Sequence, residues 1–89
     1  MEKKLTYQVQ KQYSGKFKYI ILIQSNNLDL IYNLYESFCS YYHANYDLHT
    51  NKVSSLNIFT KTNAEVNKAL EDLARLANHQ AGINVKEIK

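Results

Sequence analysis

Between Thr62 and Gly82 the chain spells out a helix whose start, buried face and stop are all marked, and any fold it adopts must accommodate that element. Thr62 is placed to cap the free N–H groups, with Glu65 three residues on to reach back to it. Val66, Ala69, Leu70, Leu73, Leu76 and Ala77 recur at the spacing of one helical face, and Gly82 suits the left-handed position that closes a helix. The helix is expected over about 63–80. On its other side Glu65 with Lys68, and Glu71 and Asp72 with Arg75, fall at helical spacing and read as a solvated face rather than an acid/base dyad.

The first quarter of the chain has the other period. From 4 to 24 it reads as a hairpin: Leu5, Tyr7 and Val9 alternate with polar residues, Ser14-Gly15 supplies the turn, and Phe17, Tyr19, Ile21 and Ile23 alternate afterwards. Ile20 and Leu22 make the second strand apolar on both faces, as expected of a strand in mid-sheet. Ser25, Asn26 and Asn27 are capping candidates for a helix over about 27–43, with Asp29 in its first turn and Ile31, Leu34, Tyr35, Phe38, Tyr41 and Tyr42 on its apolar stripe. A weak strand over 46–50 and a stronger one over 53–60 follow. In the latter, Leu56 and Ile58 share one face and Phe59 takes the other. After Gly82, Ile83 and Val85 alternate into a last strand over 83–88.

This succession is a strand followed by βαββαβ, within a single domain over 1–89. It implies an α+β fold in two layers, an antiparallel sheet with two helices on one face, and the βαββαβ part resembles the element order of a ferredoxin-like fold with an extra N-terminal strand. Without the weak strand the order becomes ββαβαβ. Eighty-nine residues allow one thin core and no deep cleft between lobes.

Composition excludes more than it assigns. With only two glycines, Gly15 in a turn and Gly82 after a helix, neither a phosphate-cradling loop nor a dinucleotide fingerprint can be built, so no cofactor is expected. No apolar run is long enough to span a bilayer or serve as a secretory signal, and the lone Cys39 cannot form an internal disulfide, so a cytoplasmic location is expected. Abundant Lys, Asn, Ile and Tyr beside scarce Gly, Ala, Arg and Pro point to an AT-rich genome, which itself supplies lysine and tyrosine.

Cys39 and His43 would sit one turn apart on the first helix, side by side as a nucleophile or metal pair would be. Four ligands are not at hand, and a cysteine at the margin of an apolar stripe is ordinarily a packed hydrophobe, so no catalytic or metal residue is assigned. Two binding surfaces remain. Tyr32, Tyr35, Cys39, Tyr42 and His43 give the first helix an aromatic margin suited to a protein partner or a second copy, unless a neighbouring segment folds over it. Residues 1–18 hold five lysines against one glutamate, a balance of +4, while the rest of the chain sums to −1, so the whole positive excess resides in the hairpin. There Lys11, Lys16 and Lys18 interleave with Tyr13, Phe17 and Tyr19, a pattern that fits phosphates and stacked bases of single-stranded RNA or DNA. The same lysines would also protect a sheet edge from aggregation. The first expectation is a non-catalytic regulator or inhibitor, of the size carried by phages and other mobile elements, acting on a protein partner or as a homodimer, with no small-molecule substrate. The alternative is a single-strand binder.

Overall fold

The computed structural model describes residues 5–12, 15–47, 54–82 and 86–87. They form an α+β fold in which one sheet carries two helices on a single face. In chain order the elements are β1 (Leu5–Lys11), β2 (Tyr19–Ser25), α1 (Leu28–Phe38), β3 (His43–Asp47), β4 (Ser54–Thr60), α2 (Asn63–Ala81) and β5 (Lys86–Glu87). The sheet order is β3-β4-β2-β1-β5, antiparallel except where β5 runs parallel to β1. As its two-sided apolar pattern requires, β2 lies in the middle.

The ferredoxin-like order would set the last strand directly against β2. That flank is taken by β1, because a hairpin partner a few residues away closes at less entropic cost than a strand from the far end of the chain. β5 is thereby displaced to the outer side of β1, where Thr6 lies across from Lys86 and Tyr7 across from Glu87. A strand is present before β4, at His43–Asp47, and so begins three residues before the expected start at 46; residues 48–53 lie outside the described part, as do 83–85 and 88 of the expected last strand.

Register sorts the sheet into two faces. Tyr7 is paired with Ile23 and Val9 with Ile21 on β1 and β2, while Ile21 is paired with Ile58 and Ile23 with Leu56 on β2 and β4. Against this face α1 places Leu30, Ile31, Leu34 and Phe38, and α2 places Val66, Ala69, Leu73 and Ala77. Each fully buried Leu, Ile or Phe contributes about 1.5–3 kcal/mol relative to exposure, so this layer holds the fold together.

Both helices start as their sequences dictate. The Asn27 side chain accepts from the Leu30 N–H at 3.3 Å, and Ser25 Oγ accepts from the Asn27 N–H at 3.0 Å. At α2 the Thr62 hydroxyl accepts from the Glu65 N–H at 3.2 Å and donates to Glu65 Oε1 at 3.3 Å. Gly82 closes the helix in the left-handed region at φ 63°. α1 ends at Phe38, five residues before the expected end. The Phe38 carbonyl accepts from the N–H groups of both Tyr41 and Tyr42, at 3.0 and 2.9 Å, which closes the turn. Tyr42 then folds its ring against Phe38 while Tyr41 is left 83% exposed.

Thr60, at the end of β4, is fully buried, and its hydroxyl meets no hydrogen-bond partner among the described residues. Desolvating such a group costs on the order of 1–3 kcal/mol. Thr60→Val keeps the branched shape that strands favour and is expected to stabilise the protein by about 1 kcal/mol. The check is urea unfolding: a higher midpoint at unchanged slope is expected, and a lower midpoint would mean that the hydroxyl is bonded in solution.

Candidate nucleic-acid interface

The helices cover one side of the sheet, and among the described residues no element packs on the other, the bare side. On the bare side, residues from β1, β2, β4 and β3 line up in rows across the strands: Gln10, Ile20, Phe59 and His43, then Gln8, Leu22, Asn57 and Asn45, then Thr6, Gln24, Ser55 and Asp47. The surface is therefore a short apolar strip of Ile20, Leu22 and Phe59 bordered by side-chain amides.

At one end of this surface three rings gather. Phe17 stacks on His43, with ring centres 5.4 Å apart and planes 19° from parallel, and touches Phe59 at 5.8 Å; His43 and Phe59 are 5.3 Å apart. Lys16 Nζ stands 5.9 Å from the centre of the Phe17 ring, within cation–π range. Strict alternation through β2 would have put Phe17 on the helix side with Tyr19 and Ile21. A bend at Lys18 breaks that alternation: the Lys18 N–H donates to the Thr60 carbonyl at 2.9 Å, and its carbonyl accepts from the Gln12 N–H at 2.7 Å. The two bonds fix the bend, and the ring before it emerges on the bare side.

The rings form one wall of a recess of about 590 Å³ whose other sides are Cys39, Ser40, Tyr41 and Tyr42 after α1 and Lys61 and Glu65 around the start of α2. Burial, then the Asp72 and Glu65 carboxylates, pushes the Tyr42 phenol above its ordinary value, so it remains a neutral hydroxyl at physiological pH. Lys16 and Lys61 set two positive charges against the single carboxylate of Glu65. An ion pair, Arg75 Nη2 to Asp72 Oδ1 at 3.5 Å, lies elsewhere on α2.

The residues singled out in the sequence divide among several places. Lys16 and Phe17 belong to the ring cluster, and exposed Lys18 forms the bend beside it. Lys11 and Tyr19 are paired across β1 and β2 on the helix side, where Tyr19 packs against the core instead of offering a stacking face. Tyr13 lies outside the described residues. The aromatic margin of α1 does not form one stripe. Tyr32, 43% exposed, and Tyr35 pack on Tyr46 of β3 with ring centres 6.0 and 4.4 Å apart, Tyr42 covers Phe38, and Cys39 caps the helix with its thiol donating to the Glu36 carbonyl at 3.4 Å. Hydrogen bonding to Glu36 holds the Tyr32 phenol above its ordinary value. Because the helix stops at Phe38, Cys39 and His43 are not helical neighbours: His43 opens β3 and joins the Phe17 cluster.

Two contributors went unassigned in the sequence, Phe59 and Lys61. Phe59 had a signal, an aromatic facing away from Leu56 and Ile58 on the same strand. Lys61 had none. Among the described residues no group of three or more His, Cys, Asp or Glu side chains is placed to hold a metal ion, and no helix is long and apolar enough to cross a membrane. Comparison with protein-family models, with curated proteins and with solved structures finds no match to this chain.

Proposed function

We propose that this protein binds single-stranded nucleic acid on the bare face of its sheet, as a non-catalytic module of the cytoplasm. The observation that carries the proposal is the cluster of Phe17, His43 and Phe59 on the face the helices leave open, with Lys16 over one ring and Lys61 beside the recess. Aromatic faces bind unstacked bases whatever their sequence, and lysines next to them neutralise the phosphates that follow. The amides of Gln8, Gln10 and Asn57, in the rows beside the rings, can hydrogen-bond base edges, which duplex DNA would keep paired. The stacking role thus moves from the hairpin alone to a surface shared by the hairpin turn, β3 and β4.

The test is a titration of a labelled oligonucleotide of about 10 nucleotides over a range of salt concentrations, followed by anisotropy. Affinity is expected to fall linearly with salt on logarithmic axes, and Lys16→Ala and Lys18→Ala are each expected to lower that slope by about 0.7, the value for one phosphate contact on a single strand. No binding at low salt ends the proposal.

The protein-partner reading keeps one specific observation in its favour. Tyr32 and Tyr46 are 43% and 38% exposed and meet edge to face at 6.0 Å, beside the outer strand of the sheet.

A further inference from the structure

We propose that β3 is a self-complementary edge through which two copies of this chain pair antiparallel, joining their sheets into one. The two edges of the sheet differ. On the β1 side the outermost described strand is β5, Lys86–Glu87. On the other side no described strand lies beyond β3, which pairs with β4 through five consecutive residues without a bulge. Proteins usually blunt such an edge with lysine, proline or a bulge. β3 reads His43-Ala44-Asn45-Tyr46-Asp47 and carries none of these.

The sequence of β3 fits its own reverse. In an antiparallel pair centred on Asn45, each His43 stands opposite the Asp47 of the other copy, each Tyr46 opposite the other copy's Ala44, and Asn45 opposite itself. An imidazole meets a carboxylate twice, a large side chain meets a small one twice, and the Asn45 amide, whose Oδ1 accepts from Asn57 Nδ2 at 2.9 Å, keeps its own N–H donors and a second lone pair for its twin. A register shifted by two residues would set His43 against Asn45, or Asn45 against Asp47, and would lose the His–Asp pairings. On the helix side Tyr46 lies against Tyr32 and Tyr35, so the pairing would cover the exposed aromatic rings of this edge. His43 belongs both to this edge and to the ring cluster, but substitutions at residues 45 and 55 touch neither Phe17 nor Phe59, so the pairing and nucleic-acid binding are tested separately.

Cross-strand partners in an antiparallel pair have Cα atoms about 4.5–5.5 Å apart, within the span of a disulfide. Asn45→Cys in a Cys39→Ser background should therefore give disulfide-linked dimers on mild oxidation, whereas Ser55→Cys, one strand further in, should not. By sedimentation equilibrium the wild type should have twice the 10.4 kDa mass of one chain. Asn45→Lys, which sets two ammonium groups against each other, should sediment as a monomer with an unchanged circular dichroism spectrum. The inference is overturned by a wild type that stays monomeric at high concentration, by equal crosslinking at residues 45 and 55, or by a folded Asn45→Lys variant that still dimerises.

Discussion

Phe38→Ala is expected to cost about 3–5 kcal/mol, a large fraction of the roughly 5–15 kcal/mol that keeps a domain folded. Phe38 is 2% exposed, ends α1 and belongs to the buried core, while the Tyr42 ring lies against it with ring centres 6.0 Å apart. Removing the ring leaves a void, and it also takes away the surface against which the chain turns from α1 into β3. Urea unfolding followed by circular dichroism measures the loss. Tyr41→Ala, three residues away at a site 83% exposed, is the control and should change stability by less than about 0.5 kcal/mol. Comparable losses at the two positions would mean that the core is arranged differently.

Phe59→Leu and Phe17→Leu should each weaken binding of a single-stranded oligonucleotide by about 1–3 kcal/mol, roughly 5-fold to 150-fold, while leaving the salt dependence as it was. Leucine keeps an apolar side chain of similar reach but has no flat π face. The proposal therefore separates two effects: lysine replacement alters the salt slope, and ring replacement alters the intercept. Both rings are only half-buried and lie outside the core, so the unfolding midpoint should stay close to wild type. A ring variant that binds as well as the wild type would remove stacking from the mechanism even if the lysine variants behave as expected.

Local features of the fold were legible in the sequence. The cap at Thr62, the stripe from Val66 to Ala77 and the stop at Gly82 each depend on residues within one or two turns, and α2 runs where they place it. The central position of β2 followed from apolar residues on both its faces, and the outward direction of Phe59 from the alternation of its own strand. What could not be read depends on distant partners. The displacement of β5 is a competition between two strands for the same flank of β2, decided by chain entropy rather than by residue type. The turn of Phe17 to the bare face rests on the Lys18 N–H finding the carbonyl of Thr60, a residue on another strand. α1 stops short where the Phe38 carbonyl takes the Tyr41 and Tyr42 N–H groups and the Tyr42 ring lies against Phe38, and the side-by-side placement of Cys39 and His43 disappears with that last turn.

The bend at Lys18 also divides the labour of the molecule. It lets the rings that would meet a ligand sit on residues that contribute little to folding, while the residues that hold the layers together never reach the bare face. Selection can then retune one set without breaking the other. A saturation library sorted once for folded protein and once for oligonucleotide capture should yield two nearly disjoint groups of intolerant positions, one centred on Ile21, Leu34 and Ile58 and the other on Phe17, His43 and Phe59.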